Sequence, residues 1–368
     1  MFKLNALFLV AAALSFAQDP SFAEIAQNAP GKSNYSPPEP AGNDSWVFFV
    51  DADWLFWKPF AEGYEFAYGN QTIEPDNPIQ NERYIFEPNA YNIHFNFGSN
   101  YRIIAGSCLR CLKRDILAKF TRVTASATGR KFAFGNPGGY EILGPNLSRP
   151  WTLGTESKLA PGYIQARQAE DLKCFDFEFG RVIWDQGPSS YRMQVGARAA
   201  SLKSTLELHC EATSPGPSYD YSALSDMKIE NLFQGGGPRF GGLFDFRIYK
   251  GVHWLNEFGY AILWGRFDMK QNETFYPENG TATQEAVANL LLTQHTVKQN
   301  FQLSTALAYL LQAYSREFKL KIGYEIDYWL NMNILPRFTS AQFSDTVYVR
   351  QKGDVYFHGL VGEAGLAF

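Results

Sequence analysis

Charged residues at every second position are the feature of this sequence whose types and spacing could do chemistry. Asp51 and Asp53 are separated by one apolar residue, and Lys319 and Lys321 repeat that spacing with the opposite charge. Side chains two positions apart in a β-strand lie on the same face, so each pair is predicted to line one face of a sheet. Carboxylates and cations that face a common water-filled space select ions by charge and solutes by size. The predicted chemistry is therefore electrostatic and steric.

Charges of both signs share this face along most of the chain. With Lys119 and Glu257 included, nine acidic and eight basic residues lie on it, which predicts a weakly selective channel. Arg192 and Arg198, with Arg239 and Arg247 on the next strand, are expected to form a basic wall; the alternative that the charges form rigidifying salt bridges stays open. The predicted pore-lining residues are Asp51, Asp53, Arg102, Asp176, Glu178, Arg192, Arg198, Arg239, Asp245, Arg247, Glu317, Lys319, Lys321, Glu325 and Asp327.

The other residue types that carry chemistry give no catalytic or metal-binding pattern. The five histidines are scattered, and no spacing matches a metallopeptidase helix or a serine-hydrolase triad. Cys108 and Cys111 have the spacing of half a zinc knuckle or of a redox pair, but no second close pair or histidine lies nearby. A local disulfide between them is favoured, whereas Cys174 and Cys210 stay open between buried thiols, a bridge and intermolecular links. We predict no catalytic residue, no metal site and no cofactor.

Long alternating strands are the elements that must position these residues. Phe318 to Tyr328 places apolar residues at even positions and mostly charged residues at odd ones, and comparable runs recur along the chain. These runs span ~10–16 residues, longer than the ~5–6 typical of globular sheets and suited to tilted membrane strands. The pattern predicts an all-β transmembrane antiparallel β-barrel of about 12 strands (range 10–16), with long extracellular loops and short periplasmic turns. A short helix is expected at Thr283 to Leu292.

Composition agrees with such a barrel and excludes other classes. The 368 residues carry a formal net charge of −4, so a nucleic-acid partner is not expected. The mean hydropathy of −0.26 looks soluble, but a lipid-facing wall averaged with a wet interior gives the same value. Aromatic residues make up 16% of the chain. They include Trp46 with Phe56, and Trp254 with Trp264, each pair ten residues apart on one face, which matches two aromatic girdles roughly 25 Å apart across a membrane.

The two ends of the sequence predict export and membrane assembly. Residues 1–23 are predicted to be a signal peptide, with cleavage after Ala17 or Ala23, and residues 24–44 a flexible segment. Residues 45–368 are expected to form a single β-barrel domain. The last strand ends on Phe368, which is typical of the signal that the outer-membrane barrel-assembly machinery reads.

Several segments resemble a known family. They are Phe48 to Lys58 followed by Gly63 to Ala67, Met193 to Ala199, Gly237 to Gly241, and Gly353 to Phe368. In this order they are similar to the pore-forming outer membrane proteins of the Legionella major outer membrane protein type, which include the major-porin-like proteins of Chlamydia-related bacteria. The resemblance implies a barrel porin with both termini on the periplasmic side and no enzymatic activity.

These observations together predict a function and a location. We expect an outer-membrane porin of a Gram-negative-type bacterium, with a weakly selective, water-filled channel for passive diffusion of small hydrophilic solutes. The expected partners are outer-membrane lipid, the barrel-assembly machinery and small hydrophilic solutes or ions, with a homo-oligomer possible. Two alternatives stay open: an adhesin or structural barrel that acts through its extracellular loops, and a secreted soluble β-sandwich lectin.

Overall fold

Strands account for almost all of the chain that the structure describes. The computed structural model describes residues 46–63, 65–71, 87–109, 113–132, 146–148, 161–213, 222–277, 285–313, 316–340 and 346–368. Residues 45–368 form one compact unit. The predicted signal peptide and flexible segment lie outside the described residues. Within those residues, no helix is long and apolar enough to cross a membrane.

Thirteen strands occur in the described residues. They are β1 (Trp46–Ala61), β2 (Glu65–Gln71), β3 (Glu87–Asn92), β4 (Gly98–Leu109), β5 (Arg114–Phe132), β6 (Asn146–Ser148), β7 (Pro161–Gln186), β8 (Ser189–Thr213), β9 (Ser222–Tyr249), β10 (Val252–Pro277), β11 (Glu285–Ala313), β12 (Arg316–Ser340) and β13 (Thr346–Ala367).

Ten of these strands close into one barrel. Their order is β1-β13-β12-β11-β10-β9-β8-β7-β5-β4, and β4 pairs again with β1. All the pairs are antiparallel, and the first and last strands meet with Phe56 opposite Leu360. Strands β2, β3 and β6 form a separate three-stranded sheet. The predicted antiparallel barrel is confirmed, and a sheet closed on itself excludes the two packed sheets of a soluble sandwich.

The strand count and one local prediction need correction. The barrel has ten strands, at the low end of the predicted range, not about twelve. The stretch Lys203–Cys210 continues β8, and Glu65–Gln71 lies in the small sheet outside the barrel. The predicted helix is also wrong, because Leu290 and Leu292 lie in β11 opposite Gln271 and Met269 of β10. Hydrogen bonding along β10 outweighs the helical preference of this Ala- and Leu-rich segment.

The two ends of the barrel differ in their connections. At the end that we call the turn end, Gly187 and Pro188 join β7 to β8, and Lys250 with Gly251 joins β9 to β10. Gly187 and Gly251 have φ values of +59° and +73°, the left-handed conformation that such two-residue turns require. The opposite end, the loop end, carries the longest connections, which contain β2, β3 and β6.

Alternation along each strand separates an outer wall from an inner wall. Leu320 and Ile322 on β12 are 60% and 65% exposed on the outer wall. The residues that alternate with such outward-facing positions point inward, as the period of two requires. Toward the loop end the inner wall becomes apolar. Side chains there pack into one buried cluster, the apolar layer, which includes Leu55, Trp57, Leu172, Leu202, Leu206, Ile229, Phe233, Phe267, Trp329 and Phe357.

Candidate functional site: a charged layer across the barrel interior

A layer of charged and amide side chains fills the barrel interior between the turn end and the apolar layer. Nine barrel strands contribute to it, because each strand places every second residue inside. The ionic layer consists of Asp53, Arg102, Lys119, Asp176, Glu178, Arg198, Arg239, Glu257, Asn300, Gln302, Glu325 and Asp327.

Arg102 joins two carboxylates in this layer. Its Nη2 donates to Glu325 Oε1 at 2.7 Å and its Nη1 to Glu325 Oε2 at 2.9 Å. The same Nη1 lies 3.2 Å from Asp53 Oδ2, and Nε donates to Thr121 Oγ1 at 3.0 Å. The planar guanidinium suits this two-pronged contact, which fixes both the position and the orientation of the side chain.

Arg198, on β8, makes a second two-pronged contact. Its Nε donates to Asp176 Oδ1 at 2.6 Å and its Nη2 to Asp176 Oδ2 at 2.7 Å. Its Nη1 donates to Asn300 Oδ1, and Nη2 also reaches Gln302 Oε1 at 3.2 Å. Asn300 in turn donates to Asp327 Oδ1 at 2.7 Å. The amides thus carry the network from β8 to β12.

Arg239 and Lys119 complete the layer. Arg239 Nε donates to Glu178 Oε1 at 2.7 Å, and its Nη2 donates to Gln302 Oε1 at 2.9 Å. Lys119 Nζ lies 3.2 Å from Glu257 Oε1. Gly259 makes room for this arrangement, since a Cβ at that position would collide with the guanidinium of Arg239.

These contacts bridge strands that are not neighbours in the sheet. Arg102 on β4 reaches Glu325 on β12, and Lys119 on β5 reaches Glu257 on β10. The network therefore crosses the interior instead of following its wall. Apart from Glu257, whose side chain is 20% exposed, its side chains are almost fully buried, and Asp176 and Arg239 are 0% and 1% exposed. Charges buried this deeply need their partners, because removal of one leaves the other uncompensated.

A second, more exposed group lies nearer the turn end. Lys319 Nζ is 3.6 Å from Asp51 Oδ2, and both Lys319 and Lys321 contact Glu363. Arg192 Nε donates to Asp115 Oδ2 at 2.6 Å. These lysines and Arg192 keep part of their side chains exposed, so the interior is more open here than in the ionic layer.

The structure places all fifteen predicted pore-lining residues at inward-facing positions. Nine are buried, and six lie partly or fully exposed toward the turn end. Their role in lining a pore stays a prediction. The buried residues are Asp51, Asp53, Arg102, Asp176, Glu178, Arg198, Arg239, Glu325 and Asp327; the others are Arg192, Asp245, Arg247, Glu317, Lys319 and Lys321.

The predicted basic wall is not formed as a separate surface. Arg192 contacts Asp115, and Arg198 contacts Asp176. The carboxylates of β5 and β7 face the arginines of β8 and β9, so opposite charges alternate around the interior. The salt-bridge alternative describes these residues better.

The other predicted residues have the following places. Trp46, Phe56, Trp254 and Trp264 lie on the outer wall, and Trp264 is 56% exposed. Phe368 is exposed and exchanges two backbone hydrogen bonds with Phe48, at 3.0 and 2.9 Å. Membrane-girdle and assembly roles stay predictions. Cys111 lies outside the described residues, so the Cys108–Cys111 disulfide stays a prediction too. Cys174 and Cys210 are buried.

Sequence reasoning missed several members of these groups. Asn300 and Gln302 alternate in the same way as the predicted residues. They were missed because only charged residues were considered, and amide side chains are neutral. Glu363 lies at an odd position of β13, as do the inward-facing Val361 and Phe357, so alternation alone predicts that it faces inward. Asp115 precedes the apolar part of β5, where the strand signal is short.

Glu170 places a carboxyl group inside the apolar layer, beyond the level where the outer wall is apolar. Glu170 accepts hydrogen bonds from Ser204 and from Gln168, the latter at 3.0 Å, and it pairs with no basic side chain in the described part of the chain. Burial raises the pKa of Glu170 to about 7, against the smaller opposing effect of the two hydrogen bonds.

A closed antiparallel barrel with an apolar outer wall and a charged interior defines a class of protein, the transmembrane β-barrel of outer membranes. Residues 39–365 match the model of the Legionella pneumophila major outer membrane protein precursor family. The chain belongs to that family and is an outer membrane protein. The predicted resemblance and location are thereby confirmed. A search of curated proteins found no match.

Several solved structures, among them the following three, are similar to this chain at low identity. The outer membrane protease OmpT of Escherichia coli is 9% identical, with a TM-score of 0.38, over 89% of this chain and 98% of OmpT. A FadL homologue of Pseudomonas aeruginosa is 7% identical, with a TM-score of 0.24, over 88% and 90%. The outer membrane channel DcaP of Acinetobacter baumannii is 9% identical, with a TM-score of 0.18, over 89% and 97%. Likenesses this weak carry no inference about the function of this chain.

Proposed function

We propose that this protein forms a narrow, weakly selective channel through which ions and small hydrophilic solutes diffuse passively across the outer membrane, without catalysis. One observation carries the proposal: the inner wall is charged at the level where the outer wall is apolar. Desolvating this many charges is costly, and a barrel that served only as an anchor would be as stable with an apolar filling. Charged interior walls are the usual means by which a pore selects ions.

The ionic layer is the constriction in this proposal. Asp53 Oδ1 and Arg239 Nη1 are buried in it without a hydrogen-bond partner among the described residues, so each has hydrogen-bonding capacity that water or an ion would satisfy once the layer opens. Arg102 contacts carboxylates on β1 and β12 at once, and its movement would separate the two sides of the layer. Carboxylates and cations alternate around the interior, which favours weak selectivity over exclusion of one sign.

A closed surface barrel that acts through its extracellular loops is the second candidate. It is favoured by the burial of the ionic layer, where Asp176 and Arg239 have almost no exposed surface. Conductance separates the two candidates, because the surface barrel needs no path through the layer.

The decisive measurement is single-channel conductance of the refolded protein in planar bilayers. The wild type is compared with Arg102→Ala/Glu325→Ala, which removes one contact across the layer together with both of its partners. Arg266→Ala/Asp268→Ala is the matched control, because that pair joins Nε and Oδ2 at 2.8 Å on the outer wall. We expect small conductance steps for the wild type and the control, and several-fold larger steps for the inner-wall variant.

Two outcomes contradict the channel. If neither the wild type nor the inner-wall variant conducts while both show the heat-dependent gel mobility of folded barrels, the ionic layer is not a constriction. If only the inner-wall variant conducts, the natural layer is a seal, and the surface barrel is the better description.

A further inference from the structure

The outer wall changes chemistry abruptly on β5 and β7. Phe120 and Phe175 lie directly opposite each other on these strands and are 37% and 49% exposed. One outward position further toward the loop end, Arg122 lies opposite Lys173, and both side chains are exposed. An aromatic pair is thus followed by a pair of cations.

The two cations are incompletely neutralised. Like charges directly opposite on neighbouring strands destabilise a sheet unless an anion lies between them. Lys173 has a carboxylate partner, since its Nζ lies 3.4 Å from Asp171 Oδ2. Arg122 has no carboxylate partner in the described part of the chain. Its guanidinium is free to bind an anion, and phosphate matches its fork of donors.

A groove of about 370 Å³ lies beside the two cations, further toward the loop end. The hydroxyl-bearing side chains of Thr124, Ser126 and Thr205 line it together with Lys203 and the acidic residues Glu170 and Asp171. Asp171 is already paired with Lys173. Lys203 forms an ion pair with Glu230, in which Nζ lies 3.3 Å from Oε1. Hydroxyls and a lysine beside an unpaired guanidinium suit a polar headgroup larger than a single phosphate.

The height of these residues on the barrel indicates where the headgroup would come from. On β10 the same change occurs, from the exposed Trp264 to Arg266. This level is the loop-end border of the apolar outer wall. Loops of outer-membrane barrels lie on the extracellular side, so the border lies at the headgroups of the outer leaflet, where basic side chains meet lipid phosphates.

We propose that Arg122, Lys173 and the adjoining groove bind the phosphate-bearing headgroup of an outer-leaflet lipid, whose acyl chains lie along Phe120 and Phe175. The aromatic pair supplies the apolar contact and the cation pair the charge. The site lies on the outer wall, so the proposal is independent of any channel through the interior.

Retention of defined lipids by the folded barrel tests this site. The full chain is refolded into phosphatidylcholine vesicles that contain a minor fraction of a phosphorylated, acylated glucosamine disaccharide, and lipid retention is measured by native mass spectrometry. The test variant is Arg122→Ala/Lys173→Ala. The matched control is Arg266→Ala/Lys270→Ala, which removes two exposed outer-wall cations from β10. We expect about tenfold weaker binding for the test variant and a change of less than about twofold for the control.

Two further arms identify the ligand. The same lipid without its phosphates should be retained poorly by the wild type, and excess inorganic phosphate should displace little of the phosphorylated lipid. Equal retention of the dephosphorylated lipid, complete displacement by inorganic phosphate, or equal losses in the test and control variants would each overturn the proposal. If the double variant does not fold, Arg122→Gln, which keeps the side-chain bulk, must lose binding in the same comparison.

Discussion

The barrel interior has two regions of opposite chemistry on the same strands. On β1, Asp53 belongs to the ionic layer, whereas Leu55 and Trp57, the next inward residues, belong to the apolar layer. On β12, Asp327 is followed by the buried Trp329. The outer wall changes in the opposite sense, from exposed apolar side chains to ion pairs such as that of Lys228 on β9 with Glu207 on β8.

This inversion shows that each strand passes through two surroundings, with lipid outside one part of it and water outside the other. Where the outer wall faces lipid, apolar side chains point outward and polar ones inward. Beyond that level water surrounds the strand, and the wall returns to the pattern of a soluble protein, with its apolar side chains inside. The ionic layer therefore depends on exact pairing for its stability, whereas the apolar layer depends on packed volume.

The largest effect is expected from breaking one pair in the ionic layer. Arg198→Met removes both hydrogen bonds to Asp176 and leaves that carboxylate buried without its main partner. We expect a loss of about 3–5 kcal/mol in the free energy of unfolding, measured by denaturant titration of the barrel refolded into vesicles.

The double variant Arg198→Met/Asp176→Leu is the control for this effect. Replacing both partners by apolar side chains removes the uncompensated charge of Asp176, so part of the lost stability should return. Asp327, whose Oδ1 lies 3.8 Å from Arg198 Nη1, still loses that cation. If the double variant is as unstable as Arg198→Met, packing and not pairing stabilises the layer, and the distinction between the two regions fails.

The facing of the side chains could be predicted from the sequence, but their partners could not. A strand residue has only two directions to point, so alternation placed Asp53, Arg198 and Glu325 inside. Which acid meets Arg239 depends on the stagger between strands, which no single strand encodes. Lys119 and Glu257 meet only because the sheet closes with β5 across from β10.

Strand number was harder to predict because of the same inversion. On β8 the apolar positions are odd at Met193 and Val195 but even at Leu206 and Leu208, although the strand is continuous from Ser189 to Thr213. In the sequence, such a shift of the apolar residues from odd to even positions looks like the end of one strand and the start of another. Its physical cause is the exchange of lipid for water outside the barrel, so the shift marks the edge of the apolar outer wall.

A smaller effect is expected from Glu170, a carboxyl group buried in the apolar layer. The folded state raises the pKa of Glu170 to about 7, above the ordinary value of a glutamate. Between that ordinary value and pH 7 the folded protein therefore binds more protons than the unfolded chain, and stability falls as the pH rises through this window. We expect Glu170→Gln to remove up to about 3 kcal/mol of this loss between pH 5 and pH 8.5.

Thermal unfolding of both proteins across this pH range measures the difference. His209, on the outer wall, titrates in both proteins, and its pKa is raised by a hydrogen bond to Asp226, so its contribution cancels. Parallel pH profiles for the wild type and Glu170→Gln would show that Glu170 is ionised in the folded barrel and that the apolar layer admits water.

The smallest effect is expected from a conservative change in the apolar layer. Ile229 is 1% exposed and packs in the cluster with Phe233 and Leu206. Ile229→Val removes one methylene group, and we expect a loss of about 0.5–1.5 kcal/mol in the same denaturant titration. Glu178→Gln is the matched change in the ionic layer, because it alters almost no volume but weakens the bond from Arg239. If volume governed both layers, Glu178→Gln would cost less than Ile229→Val; a larger cost for Glu178→Gln requires that pairing governs the ionic layer.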